Sequence, residues 1–268
     1  VTTSKRRKWH HKQIITRTLS EPKAIIFDLS EVLFKENKSA FIEKIGFVNL
    51  AICTIKNGKS PGQVCLDMLE KMSREKQYKP TVPAKFKGRI MPRCIVEWQQ
   101  GYKTCNQVRN EIIHYIAQLD EQQYFSSDQE KEITQKIIKL IFDPKELSNL
   151  TKPIIPMIRL AQQLKDSGYK LYVLSNIPEE VFTAVNQTHK EILDLFDGIL
   201  ISGQIKMVKP EKKIFTYFLK KYKLQADECI LIDREENITI AREAGITGIV
   251  YNRASIVARK LRELGVQI

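Results

Sequence analysis

This 268-residue chain has no apolar run near the ~20 residues a membrane-spanning helix needs, and none of the apolar stretch of a secretory leader in its first twenty positions. A membrane partner and a membrane-embedded function are therefore set aside. Cysteine is sparse: Cys53, Cys65, Cys94, Cys105 and Cys229 are odd in number and widely spread. No pair has zinc or redox spacing, so they read as free thiols in a reducing compartment, and the expected location is cytoplasmic. His10, His11, His114 and His189 offer no ligand spacing beyond the adjacent first pair. Acid is missing from residues 1–20, which hold Lys5, Arg6, Arg7, Lys8, Lys12 and Arg17. That segment reads as a loosely held basic arm, dispensable for folding.

Basic charge is in excess: the net charge is +13 and the sequence pI about 9.4. A second cluster runs Lys71, Arg74, Lys76, Lys79, Lys85, Lys87, Arg89 and Arg93 against the single acid Glu75. Such a field draws phosphates, acidic partners or nucleic acid. Without interleaved aromatics or a recognition motif the cluster reads as solvated surface, and nucleic acid stays a partner with no motif behind it.

From residue 24 the pattern changes. Ala24, Ile25, Ile26 and Phe27 form a short apolar run, as a strand buried on both faces should. Residues 37–150 read as helical and without strands. Ser60-Pro61 marks a helix start, Thr104 caps a helix carrying Val108, Ile112 and Ile116, and Ser127 with Glu130 has capping-box spacing. Gln77 to Arg93 reads as an exposed loop, with Gly62 and Gly88 as turn residues. Trp98, Tyr102 and Tyr115 are assigned to the small core of this block.

Beyond Pro153 the pattern alternates. Helices are predicted over 154–167, 179–185, 211–222, up to 244 and over 254–264; strands over 170–174, 198–201, 229–232 and 247–251. Alternation at this length implies right-handed crossovers and a parallel sheet. The fold class is thus α/β: a Rossmann-like parallel-sheet core with an inserted all-helical cap. The expected organisation is an arm at 1–20, a core from 21–36 and 151–268, and a cap at 37–150.

Ligands of open parallel sheets bind beyond the carboxyl ends of the strands. Those ends carry Asp28 with Ser30, Ser175 with Asn176, Lys209, and Asp233. Two acids, a hydroxyl and a lysine suit phosphoryl transfer: one carboxylate to attack, a cation to neutralise phosphoryl oxygens, and acids to hold magnesium. Alone, Ser175-Asn176 would be a helix cap and Lys209-Pro210 a loop; their value is collective.

The run from Ile25 through Asp28, Leu29, Ser30 and Glu31 to Phe34 resembles the first motif of the haloacid-dehalogenase superfamily, Asp-x-Asp-x-Thr/Val. Val173 to Asn176 resembles the second motif, and Lys206 to Glu211 the third. Leu231-Ile232-Asp233 through Asn237, then Ala241 and Ala244-Gly245-Ile246, resembles the fourth. The likeness covers roughly residues 22 to 252 and extends to the phosphatase half of soluble epoxide hydrolase and to bacterial sugar-phosphate phosphatases. It implies a small phosphorylated substrate, Mg²⁺, and Asp28 as nucleophile through an aspartyl-phosphate. It implies Ser175 and Lys209 as ligands of the phosphoryl oxygens, with Leu29, Ser30 and Asn176 lining the substrate. The implied metal ligands are the Asp28 and Asp233 carboxylates and the Ser30 backbone carbonyl.

Two positions depart from the family's pattern. Ser30 stands where the family has the aspartate that protonates the leaving oxygen, help worth about 10²–10⁴-fold. Some sugar-phosphate relatives also lack that acid. Ile232 stands where a carboxylate normally orients the lysine, with Glu235 and Glu236 as the nearest substitutes and Arg234 placed to compete for the site acids. The alternative is a pseudo-phosphatase that binds a phosphorylated ligand or a partner without turnover; a third reading makes the basic arm the working end. Deleting residues 1–20 should leave the melting curve of the remainder unchanged; a large fall in melting temperature would show that the arm packs on the core.

Overall fold

The computed structural model describes residues 21–47, 51, 58–75, 85–86 and 89–268. The basic arm, Cys53 and Gly88 lie outside the described residues. Five strands form the central sheet: β1 Ala24–Phe27, β2 Lys170–Ser175, β3 Gly198–Ile201, β4 Cys229–Asp233 and β5 Thr247–Val250. All neighbours are parallel, in the order β3-β2-β1-β4-β5. The first strand in sequence is thus the central one, with Phe27 level with Val173 on one side and Ile232 on the other.

Alternation along each strand builds two apolar layers. Ile25, Phe27, Leu171, Val173, Ile230 and Ile232 face one way, onto Met157, Leu160 and Leu164 of one helix and Val257 and Leu261 of another. Ala24, Ile26, Tyr172, Leu174 and Leu231 face the other way, onto Ile214, Phe215, Phe218, Ile238 and Ala241.

Among the described residues the insert carries α1 Lys38–Ile45, α2 Pro61–Glu75, α3 Arg93–Gln99, α4 Cys105–Glu121, α5 Asp128–Ile141 and α6 Pro144–Asn149. The core adds α7 Ile155–Asp166, α8 Glu179–Thr188, α9 Lys190–Leu193, α10 Ser202–Ile205, α11 Lys212–Tyr222, α12 Glu235–Glu243 and α13 Ala254–Glu263. The α/β core with a helical insert stands as expected, and no described helix is long and apolar enough to cross a membrane.

Details of the insert differ. It is not strictly all-helical: Lys85–Phe86 pairs antiparallel with Arg89–Ile90 inside the stretch read as loop, and α3 begins at Arg93. Two-residue strands are too short to leave a period in the sequence. At its base, Phe34–Glu36 pairs antiparallel with Thr151–Pro153, tying the two linkers together. Thr104 and Gln107 form the full capping box. Ser127 caps only one way, because the Glu130 carboxylate turns to the amide and hydroxyl of Ser126. Gly62 lies within α2 rather than in a turn. Trp98 and Tyr115 are buried as expected, but Tyr102 is 62% exposed.

Phe218 is fully buried and meets the rings of Tyr172 at 5.7 Å and Tyr222 at 5.0 Å. Phe218→Ala should cost about 3–5 kcal/mol in urea denaturation, the penalty of an aromatic-sized cavity, and a loss under about 1 kcal/mol would mean this layer can collapse around the gap.

Candidate active site

The parallel register sets the site. β1 ends at Phe27, and the next residue, Asp28, donates its amide to the Ile232 carbonyl at 3.0 Å, which places it beside the end of β4. Asp233 closes β4 and Ser175 closes β2. Lys209 arrives on the loop between α10 and α11. Asp28, Ser175, Lys209 and Asp233 are all buried, at 2%, 1%, 1% and 0% exposure.

The lysine ammonium joins the acids. Its Nζ lies 2.9 Å from Asp28 Oδ1 and 2.6 Å from Asp233 Oδ2, and it donates to the Leu174 carbonyl at 2.6 Å. Two hydrogen bonds, to the Leu174 carbonyl and the Asp233 carboxylate, and the ion pair with Asp28 compensate the buried charge. The other Asp233 oxygen, Oδ1, accepts from the Arg234 amide at 2.6 Å and from Asn237 Nδ2 at 2.7 Å. Asp28 Oδ1 also accepts from the Leu29 amide at 2.9 Å. Two carboxylates thus face one ammonium, an excess of one negative charge in a dry site. Burial raises the Asp233 carboxyl, to about 6, against the lowering pull of Lys209; the charge on Asp28 adds to the rise.

Ser175 and Asn176 differ in role. Ser175 Oγ is buried without a hydrogen-bond partner among the described residues, a costly state for a hydroxyl unless a ligand completes it. The Asn176 side chain instead brackets the lysine backbone: Oδ1 accepts from Lys209 N at 2.7 Å and Nδ2 donates to Lys209 O at 2.8 Å. Both polar atoms expected to line the substrate therefore position the lysine. Leu29 is 2% exposed and part of the core, so its amide alone reaches the site. Ser30 is exposed. Glu31 has φ 65°, a left-handed turn.

A protein-family model describing haloacid dehalogenase-like hydrolases matches residues 22–245. The chain belongs to the haloacid dehalogenase-like hydrolase family. Sesquiterpene phosphatase astK of Aspergillus oryzae is 31% identical over 121 residues, 45% of this chain and 61% of that protein. Bifunctional epoxide hydrolase 2 of Mus musculus is 28% identical over 117 residues, 42% of this chain and 21% of that one. The chain thus spans about three fifths and one fifth of these relatives. A solved HAD family enzyme of Bacteroides thetaiotaomicron, complexed with magnesium and inorganic phosphate, superposes with a TM-score of 0.51 at 17% identity, over 86% of this chain and 94% of that one. That likeness is one of fold.

Within this HAD-like site, two expectations about the departures change. Lys209 is not short of an anchor for want of an acid at 232: Asp233 and the Leu174 carbonyl take its protons, and Ile232 fills the core at 0% exposure. Neither Glu235 nor Glu236 replaces the missing acid at Lys209; Glu236 lies 3.7 Å from the Arg234 guanidinium, and Arg234 meets Asp233 through its backbone amide. Sequence reading gave Asn237 only as a spacing marker, whereas it holds Asp233 directly. Its position four residues on, in the first turn of α12, was the available signal.

The folded value for Asp233 lies above the ordinary carboxylate value of about 3.9, so the folded chain holds this proton more tightly than the unfolded one. Stability from this group is full below the ordinary value and is lost as pH rises to about 6. Without added divalent cation, Asp233→Asn should melt above wild type at about pH 8 and lose that advantage toward about pH 4. A variant melting lower throughout would mean that attraction to Lys209 outweighs the burial cost.

Proposed function

We propose that the chain is a Mg²⁺-dependent phosphomonoesterase acting through Asp28. The observation that carries this reading is the buried Asp28–Lys209–Asp233 cluster beside the unpartnered Ser175 hydroxyl. In the proposed organisation residues 21–36 and 151–268 form the core, 37–150 the cap and 1–20 a basic arm. The free thiols Cys65, Cys94, Cys105 and Cys229 fit a reducing, cytoplasmic setting.

The donor set fits a hard cation. Asp28, Asp233 and the Ser30 backbone carbonyl offer oxygen ligands only, and the cluster carries one uncompensated negative charge. These three would hold Mg²⁺, which neutralises charge on the phosphoryl oxygens. The solved relative bound to magnesium and phosphate supports the assignment.

The residues divide the work. One Asp28 carboxylate oxygen attacks phosphorus as the bond from phosphorus to the ester oxygen breaks, giving an aspartyl-phosphate. The Ser175 hydroxyl and the Lys209 ammonium hold phosphoryl oxygens, and Asn176 fixes the lysine backbone throughout. Water then attacks the phosphorus, the bond from phosphorus to Asp28 oxygen breaks, and the carboxylate returns. Ser30 is a poor proton donor, so the leaving oxygen departs with little help. Substrates with stable leaving anions are favoured: anomeric sugar phosphates, acyl phosphates and activated esters. The name of astK adds phosphorylated terpenoids to the set worth assaying.

The test is a screen of phosphate esters with and without Mg²⁺ on wild type, Asp28→Asn and Ser30→Asp. Asp28→Asn should abolish turnover, and Asp233→Ala should remove any Mg²⁺-linked thermal stabilisation. Ser30→Asp should raise the rate on unactivated alkyl phosphates by a sizeable part of about 10²–10⁴-fold and change activated substrates less. No turnover in wild type or Ser30→Asp, with inorganic phosphate still bound, would make the chain a binding module on a phosphatase frame.

A further inference from the structure

Far along the chain from the paired linkers, the insert meets the core again at the turn that follows α3. The Ser202 hydroxyl, at 0% exposure, donates to the Gln99 carbonyl of that turn at 2.5 Å. The same oxygen accepts from the Ile177 amide at 3.0 Å. Ile177 follows Asn176, which brackets Lys209, and Ser175, whose hydroxyl is unpartnered. One buried hydroxyl therefore links the insert to the loop that sets both proposed phosphoryl contacts.

Two glycines permit this approach. A side chain on Gly101 would collide with the Gly203 carbonyl, and one on Gly203 would lie 2.6 Å from the Glu179 amide. Outside them, Lys206 is held at φ 58°, a left-handed conformation that costs any residue with a side chain. Its ammonium donates to the Gly101 carbonyl and lies 5.3 Å from the centre of the exposed Tyr102 ring. Beside this, Val96 and Val208 form a small buried pair of their own. Backbone carbonyls held by two core donors can part and re-form at this turn while the apolar cluster shared by insert and sheet stays packed.

The geometry points to Ser202 as a positioning residue that couples docking of the insert to the setting of the 175–177 loop, with Lys206 as the outer clasp. The hydroxyl has a single proton. Docked, it goes to Gln99 O; undocked, its nearest alternative is Ile177 O at 3.3 Å. Docking thus changes the hydrogen bonding of the residue beside Asn176, and through Asn176 the placement of Lys209. The effect on turnover rests on the phosphatase reading; the coupling between turn and loop does not.

The test uses the full chain and amide hydrogen exchange, with wild type, Lys206→Gly, Lys206→Arg and Ser202→Ala. Lys206→Gly removes the clasp and relieves the left-handed backbone, so its melting temperature should not fall. Exchange at the Gly101 and Tyr102 amides should quicken several-fold, and the Ile177 amide should quicken with them. On an activated phosphate ester, kcat should fall by about 10- to 100-fold with KM little changed, the cost of a misplaced site loop. Lys206→Arg should restore both readouts. Adding Ser202→Ala to Lys206→Gly should change kcat by less than the product of the single effects, as a shared route requires. Unchanged exchange at Ile177 while the turn amides quicken overturns the coupling, and unchanged exchange at Gly101 and Tyr102 overturns the clasp. If wild type turns over no ester, the phosphatase reading fails, and exchange alone decides the coupling.

Discussion

Three charged groups with almost no exposure, Asp28, Lys209 and Asp233, meet at the carboxyl end of the sheet, and the structure around them is arranged to keep them there. Buried charge is tolerated only when its hydrogen-bonding capacity is filled. The lysine finds a carbonyl at the end of β2 and one carboxylate from each of β1 and β4. Three adjacent strands are required for this, which is why the strand order β2-β1-β4 matters more to the site than any single residue. The remaining charge is negative, and it gives a cation something to bind.

The supporting contacts are mostly backbone or amide. The amides of Leu29 and Arg234 hold one oxygen of each carboxylate, Asn237 braces Asp233, and Asn176 braces the lysine backbone. These groups are fixed by secondary structure, so the acids need no reorganisation to stay in place. Ser175 stands apart as the one buried site hydroxyl without a partner among the described residues. The helical insert joins the same system in two ways. Its apolar face shares one layer with the sheet, Trp98 and Ile112 clustering with Phe27 and Ile232. Its polar turn reaches the loop beside the lysine.

Much of the fold was legible because its signals are local. The apolar runs of β1 and β4, the alternation of strand and helix beyond Pro153, and the Thr104 capping box are each written within a few residues. The strand predicted over 198–201 coincides with β3, and most other boundaries fall within one or two positions. What escaped was short or long-range. The two-residue ribbon in the insert has no period to read, and the linker pairing depends on residues more than a hundred positions apart. Tyr102 was placed in a core because aromatic residues usually bury; its exposed ring instead lies over Lys206.

The sequence by itself determined which chemical groups stand at the ends of the strands, because a strand and the residue that ends it are local features. It also determined that an acid is missing at positions 30 and 232. Tertiary structure alone decided what those absences mean. Ile232 completes an apolar layer while Asp233 takes the lysine, a result set by the parallel register between β1 and β4. Asn176 turned out to brace Lys209, and Ser202 to join a turn 103 residues away. Such pairings depend on sheet order and on how closely two backbones pack, and neither quantity leaves a trace in the pattern of neighbouring residues.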